Sequence, residues 1–133
     1  MATTKSFTDL QQSKKLAEIL PLESADMRYG YIAPYDYSDR MYDGGYDEIP
    51  YPKDFLIKNP NFSANEYDTE LPCWSLVALL AILHFPSLHK TIRGWRCDTY
   101  RNNNKHIMYG ESKNNPIDAC YEMILKLHEL NLL

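Results

Sequence analysis

The stretch LPCWSLVALLAILHFP, residues 71–86, decides how the rest of the chain must be arranged. It opens on a cysteine–tryptophan pair, runs through the eight apolar residues 76–83, and closes on Pro86. The spacing predicts a helix over residues 73–84, with Trp74, Leu76, Val77, Leu79, Leu80, Ile82 and Leu83 on nearly every side. A helix without a polar face must be covered all round, so this segment is expected at the centre of the domain. Pro72 suits its first turn, where a missing N–H costs nothing, and Pro86 cannot continue it.

The flanking segments supply the cover. Residues 8–20 read as a first helix: Thr8 with Gln11 fits a capping box, Leu16, Ile19 and Leu20 form a narrow apolar stripe, and Pro21 ends it. Residues 27–33 (MRYGYIA) alternate as a strand, weakened at Gly30. Residues 91–101 put Trp95, Cys97 and Thr99 on one face, with Ile92, Arg96, Asp98 and Tyr100 on the other. Three asparagines at 102–104 make a turn, since Asn tolerates left-handed backbone, and residues 106–111 return as the partner strand. The last helix has Asn115 as its cap, Pro116 at its first position and Asp118 in its first turn. Cys120, Met123, Ile124, Leu127 and Leu130 follow at helical spacing. The order is helix, strand, long loop, helix, strand, strand, helix. That implies an α+β domain: a small antiparallel sheet of three or four strands, with about three helices packed on one face.

At 133 residues the chain reads as a single domain, long enough to bury roughly two-thirds of its unfolded surface. Its 44% hydrophobic and 24% charged residues are ordinary globular composition. The net charge of −4 gives no overall attraction to nucleic acid or to an anionic membrane. The apolar run at 76–83 is far short of the ~20 residues a membrane span needs. The N-terminal MATTKSFTDLQQSKK has no apolar h-region, which predicts a protein that stays in the cytoplasm.

The charge is unevenly spread. Residues 22–72 hold eleven Asp and Glu against four Lys and Arg, a net of −7, and the remainder nets +3. Eight of the eleven tyrosines fall between Tyr29 and Tyr67. Residues 34–70 show no periodicity and are punctuated by Pro34, Pro50, Pro52, Pro60 and the Gly44–Gly45 pair, although residues 54–58 would suit a short edge strand. An irregular segment this long is uncommon in a compact domain unless it is functional or mobile. Tyrosine brings contact area at low entropic cost, so Tyr35, Tyr37, Tyr42, Tyr46 and Tyr51 are the candidate partner-binding residues. The partner expected is another protein.

The chemistry of the rest is sparse. Cys73 beside Trp74 at the mouth of an apolar helix has the local look of a papain-type nucleophile, and a helix N-terminus lowers a thiol pKa. Such a nucleophile needs a base within ~3 Å. His84 lies eleven residues along the same predicted helix, ~16 Å away at 1.5 Å per residue, and His89 lies beyond it. His106 and His128 are open on geometry, but the preceding Thr69, Glu70, Leu71 and Pro72 match nothing in the papain signature. Cys73 is therefore expected to be buried packing, and a cysteine hydrolase is the third reading. Cys73, Cys97 and Cys120 lie 24 and 23 residues apart with no CxxC or CxH pair, which predicts three separately buried thiols and neither zinc nor a disulfide framework. No phosphate-binding glycine loop is present, so no cofactor is implied. Residues 84–105 carry Lys90, Arg93, Arg96, Arg101 and Lys105 against Asp98 alone, with Trp95 and Tyr100 interleaved. Bases and aromatics on one hairpin could hold single-stranded nucleic acid, which makes Arg93, Trp95, Arg96, Tyr100, Arg101 and Lys105 the alternative binding set.

PCWSLVALL, the Gly94–Trp95 pair and the GES…NPIDACYEMILKLHEL ending together form a recognisable pattern. The chain resembles small uncharacterised proteins of gut Bacteroidales, their phages and mobile elements, across residues 13–27 and 71–133. Its Tyr-rich stretch, about residues 35–67, looks larger than is usual in that group. The resemblance implies an intracellular accessory protein encoded by a phage or mobile element. It implies no activity, so no catalytic residue transfers with it.

Overall fold

The computed structural model describes residues 5–32, 35–37, 40–42, 44–46, 49–52, 69–100, 106–108 and 113–133. Within them the chain is α+β, as its order of elements predicts. The strands divide between two main antiparallel sheets and a hairpin, where the sequence suggested one sheet.

Helix α1 runs Leu10–Ile19. Its capping box sits one residue later than Thr8 and Gln11: the Asp9 carboxylate accepts from Gln12 N–H at 2.8 Å, and Gln12 Oε1 accepts from Asp9 N–H at 3.1 Å. Thr8 is already engaged. Its N–H donates to the Trp74 carbonyl (2.9 Å), and its Oγ1 accepts from Trp74 N–H (3.2 Å). A one-turn 3₁₀ helix, Leu22–Ser24, then leads into β1, Met27–Ile32, the centre of the first sheet.

The partner of β1 is β6, Thr69–Cys73, which the sequence reading placed partly in a loop and partly in the second helix. The two pair antiparallel from Met27 opposite Cys73 to Tyr31 opposite Thr69. On the other edge of β1, β4 (Gly45–Tyr46) lies beside Tyr31 and Ile32, and β5 (Tyr51–Pro52) beside Met27 and Arg28. These two form consecutive pieces of one interrupted edge. A hairpin of β2 (Tyr35–Tyr37) and β3 (Arg40–Tyr42) precedes them, and Gly44, at φ +87°, turns the chain toward β4 as only glycine does cheaply. The segment expected to be irregular thus carries four short strands, because its tyrosines and Pro52 pair along β1 or in the hairpin. Residues 53–68, with the possible edge strand at 54–58, lie outside the described residues.

Helix α2 is only Leu76–Ile82, capped by Ser75, whose Oγ accepts from Ala78 N–H (3.2 Å). Asp26 fixes the cap in turn, accepting from the N–H and the hydroxyl of Ser75. Two expectations fail at this helix. Pro72 and Cys73 belong to a strand, because residues 71–73 alternate inward and outward against β1. Nor is the helix covered all round: Ala78 and Leu79 are buried, while Val77 is 75% exposed and Ala81 is exposed on the same outer face.

The second sheet runs in the order β7 (Ser87–Thr91), β8 (Gly94–Tyr100), β9 (His106–Met108). The expected β8–β9 pairing is present, with Tyr100 opposite His106, and β7 is an additional strand. Ile92 and Arg93 form the turn between β7 and β8, so Ile92 sits at its tip rather than on the strand face. Gly94 is required here. It stands at φ +125°, and a Cβ would lie 2.3 Å from the Lys113 carbonyl oxygen, which accepts from Trp95 N–H at 2.6 Å.

Helix α3, Pro116–Glu129, follows its sequence signals: Asn115 Oδ1 accepts from Asp118 N–H at 2.9 Å, and Ile117, Cys120, Met123, Ile124 and Leu127 are buried. Leu130 is an exception. The helix stops at Glu129, Asn131 turns left-handed at φ +56°, and Leu132 packs on the core while Leu130 is exposed. α3 lies on β8, α1 on β6, and α2 against α3.

Two apolar cores result. The larger gathers Leu16, Leu20, Trp74, Leu79, Leu83, Cys97 and the inner face of α3; the smaller holds Tyr29, Leu71 and Cys73. Trp74 is wholly buried, with its Nε1 donating to Ser24 Oγ at 3.0 Å. Trp74→Ala should cost about 3–5 kcal/mol by the loss of a large core side chain. Chemical denaturation measures this, and a variant as stable as the parent would remove Trp74 from the core.

A polar clamp joins the N-terminal segment to α3. Lys5 Nζ donates to Asp9 (3.1 Å), Gln12 (3.0 Å) and Asp118 (2.9 Å), and Gln12 Nε2 and Asn115 Nδ2 also donate to Asp118, at 2.7 and 2.9 Å. Burial pushes the Asp118 carboxyl up, but Lys5, Gln12 and Asn115 outweigh it and hold it below the usual carboxylate range. Burial pushes Lys5 down, and its carboxylate partners more than reverse that. A carboxylate held low stabilises the fold above its unfolded pKa and loses that contribution as pH falls through the folded one; a lysine held high contributes below its unfolded pKa and loses it as pH rises through the folded value. As pH drops from about 5 to 2, the thermal midpoint should fall more steeply in the parent than in Asp118→Asn. Parallel curves would show that the clamp contributes no charge-dependent stability.

Candidate functional site

Cys73 ends β6 with its side chain in the smaller core. It lies two residues before the cap of α2, so no helix dipole bears on it. Its sulfur lies 3.4 Å from the Thr8 carbonyl oxygen and 3.6 Å from Thr8 Oγ1. Burial pushes the thiol up, the hydroxyls of Thr8, Ser13 and Tyr29 offset this only in part, and the Asp26 charge adds to the rise. Tyr29 donates its hydroxyl to the same Thr8 carbonyl at 2.8 Å. Cys73 therefore stays a protonated thiol among hydroxyl and carbonyl oxygens, the opposite of an activated nucleophile. His84, His89 and His128 are exposed, and the side chain of His106 lies outside the described residues.

A second constellation, absent from the sequence reading, lies on the outer face of the second sheet. Register sets Ser87 opposite Asp98 and His89 opposite Arg96. Ser87 Oγ lies 2.9 Å from His89 Nε2, and the same nitrogen lies 3.2 Å from Asp98 Oδ2. Arg96 Nε donates to Asp98 Oδ1 at 3.2 Å. These are the residue types of a hydrolase triad in the wrong geometry. A triad uses both imidazole nitrogens, one toward serine and one toward the carboxylate. Here serine and carboxylate share a single nitrogen, so no proton can pass between them through the ring. The signal in sequence was the alternation of Ser87, His89 and Thr91 before the Gly94 turn, and it needed the strand pairing to have meaning.

The alternative nucleic-acid set is divided by the same register. Arg93 is exposed at the turn and Tyr100 at the far end of β8. Arg96 is held by Asp98. Trp95 points the other way, packs against the larger core, and carries Lys90 Nζ 5.8 Å from its ring centre. Arg96 and Tyr100 thus share one face of β8 and Trp95 lies on the other, while Arg101 and Lys105 lie outside the described residues. Among the candidate tyrosines, Tyr35 pairs with Tyr42 and Tyr37 with Arg40 in the β2–β3 hairpin. Tyr46 is half-buried and packs against the smaller core, with Lys14 Nζ 5.5 Å from its ring centre. Tyr51 pairs with Arg28 on β1.

One feature of the surface is held in place at a cost. Phe85, between α2 and β7, stands at φ +48° and is 71% exposed. A left-handed non-glycine residue costs about 1–2 kcal/mol, and a following proline further disfavours it there. The chain is fixed in this shape because the His84 carbonyl accepts from Tyr100 N–H (3.0 Å) and from Thr99 Oγ1 (2.6 Å). The His84 ring packs edge-on to Phe85, with centroids 4.6 Å apart. Exposed Val77 and Ala81 lie on the outer face of the helix leading to it.

No family model matches this chain, and no curated protein or solved structure does. Among the described residues, no group of three or more His, Cys, Asp or Glu is placed to hold a metal ion, and no helix is long and apolar enough to cross a membrane.

With Cys73 buried and its thiol raised, alkylation by iodoacetamide at mildly alkaline pH should be at least about tenfold slower in the folded chain than in urea. Mass spectrometry of the Cys73 peptide over time checks this, and equal rates would mean that the thiol is open to solvent.

Proposed function

We propose that this protein is a non-catalytic binding protein that docks another protein on the surface carrying Phe85, which follows the helix whose outer face exposes Val77 and Ala81. The observation that carries the reading is Phe85 itself: an aromatic ring held out to solvent at a left-handed position that glycine would fill without strain. Exposed aromatic anchors dominate protein interfaces, and the partner that fits one offers an apolar pocket for a single ring. An accessory role inside a cell infected by, or carrying, the encoding element is consistent with the resemblance noted from sequence. Nucleic-acid binding is a second reading supported by Lys90 and Arg93, which stand exposed beside the fully exposed Ile92 at the β7–β8 turn.

Phe85→Gly separates binding from stability. Relief of about 1–2 kcal/mol of backbone strain offsets glycine's entropic cost of roughly 0.5–1 kcal/mol, so the variant should melt at or slightly above the parent. A partner captured by the parent, identified by mass spectrometry and purified, should bind Phe85→Gly about thirtyfold more weakly or worse, as loss of an aromatic anchor requires. Unchanged affinity would overturn the reading. Steeply salt-dependent binding of single-stranded DNA or RNA, lost in Arg93→Ala, would favour the second reading instead.

A further inference from the structure

β7 forms one edge of the second sheet, and the hydrogen bonds of β8 settle which of its backbone groups are left free. Trp95 exchanges its N–H and C=O with Lys113, at 2.6 and 3.0 Å, on the side of β8 away from β7. Successive residues of a strand turn their backbone groups to opposite edges, so Arg96 and Asp98 turn theirs toward β7. Tyr100 keeps the same alternation, its N–H reaching the His84 carbonyl just before β7 at 3.0 Å. Register sets His89 opposite Arg96 and Ser87 opposite Asp98, which makes these the bonded pairs. Leu88 and Lys90, opposite Cys97 and Trp95, direct their N–H and C=O outward instead. Among the described residues nothing pairs with those groups.

We propose that the free edge of β7 docks an extended acidic segment of another protein, which adds to the second sheet as a further strand through the N–H and C=O of Leu88 and Lys90. An edge strand templates such pairing unless it is guarded by a bulge, a proline within it or a charged side chain turned out along it. β7 has none of these. Its five pairs with β8 run without interruption, and Pro86 stands before its first residue. Lys90 lays its ammonium over the Trp95 ring, 5.8 Å from the centre, on the inner side of the sheet. His89, Lys90 and Thr91 are exposed, which leaves room for an incoming chain.

Charge selects the occupant. Lys90 in β7 and Arg93 in the turn are exposed and have no carboxylate partner among the described residues. The one acid of the hairpin, Asp98, is buried and held by Arg96 and His89. An incoming strand therefore meets cations and no exposed anion here. A second copy of β7 would bring a second Lys90 and Arg93 to the same ladder, and like charges across paired strands disfavour it. Strand addition takes its affinity from the main chain and its specificity from alternate side chains, so acidic residues alternating with β-branched ones fit this edge. The site adjoins Phe85 but does not use its ring.

The test uses the full chain and a short capped peptide that alternates glutamate with valine, read by amide hydrogen exchange. In the free chain the Leu88 and Lys90 amides should exchange at least about tenfold faster than that of His89, which β8 holds. The peptide at about 1 mM should slow both by about tenfold or more. The same peptide with lysine for glutamate, or with every amide nitrogen methylated, should not. Lys90→Pro removes an N–H that β8 does not use, so it should fold and fail to bind. Lys90→Gln with Arg93→Gln keeps the edge and should weaken binding roughly three- to tenfold, as loss of two exposed charge contacts requires. Phe85→Gly should bind the peptide as the parent does, so the edge and the Phe85 surface stand or fail separately. Exchange in the parent decides the question even where the proline variant folds poorly. Unchanged Leu88 and Lys90 exchange, or equal protection by the lysine peptide or by single-stranded oligothymidylate, would overturn the proposal. So would slow exchange in the free chain, and slowing that grows with its own concentration would assign the edge to a second copy.

Discussion

The fold depends on two consecutive residues, the last of β6 and the one that follows it, that face opposite ways. Cys73 turns into the smaller core beside Tyr29 and Leu71; Trp74 turns into the larger one beside α1, α2 and α3. Successive side chains of an extended strand alternate by geometry, so one backbone segment becomes a wall between two apolar compartments. The wall is fixed by Thr8, which exchanges backbone and side-chain hydrogen bonds with Trp74 and offers its carbonyl to Tyr29. With these polar groups buried and satisfied, α1 has one position on β6, and the capping box moves to Asp9 because Thr8 is taken.

The second sheet is attached by a different device. Lys113 forms a two-way bridge with Trp95 just before α3 begins, and only glycine at position 94 allows that approach. At the other end of β8, Thr99 and Tyr100 both donate to the His84 carbonyl. The strand is thereby held at both ends, α3 is laid along it, and the residue after His84 is forced into the left-handed region. Phe85 is exposed as a consequence of how β8 is anchored, which links the packing of the second sheet to the surface proposed for binding.

The polar residues tell a consistent story. Asp98 engages Arg96 and His89, Asp118 engages Lys5, and Cys73 sits among oxygens with its proton retained.

How much of this was legible in the sequence depends on the range of the interaction involved. The last helix was readable to the residue at its start, because Asn115, Pro116 and Asp118 act within one turn. The α+β class, β1, the inward face of β8 and its pairing with β9 follow from period-two patterning that short segments carry themselves. Residues 71–86 defeated that reading at both ends, because an unbroken apolar run has no period: strand and helix are equally consistent with it until a neighbour is present. β1 made residues 69–73 a strand, Ser75 with Asp26 then started the helix, and the far side of that helix stayed open. The Ser87–His89–Asp98 cluster and the strained Phe85 were likewise decided only by tertiary structure. Each depends on atoms from segments 9 to 16 residues apart, and the register that joins them arises from packing that no local stretch encodes.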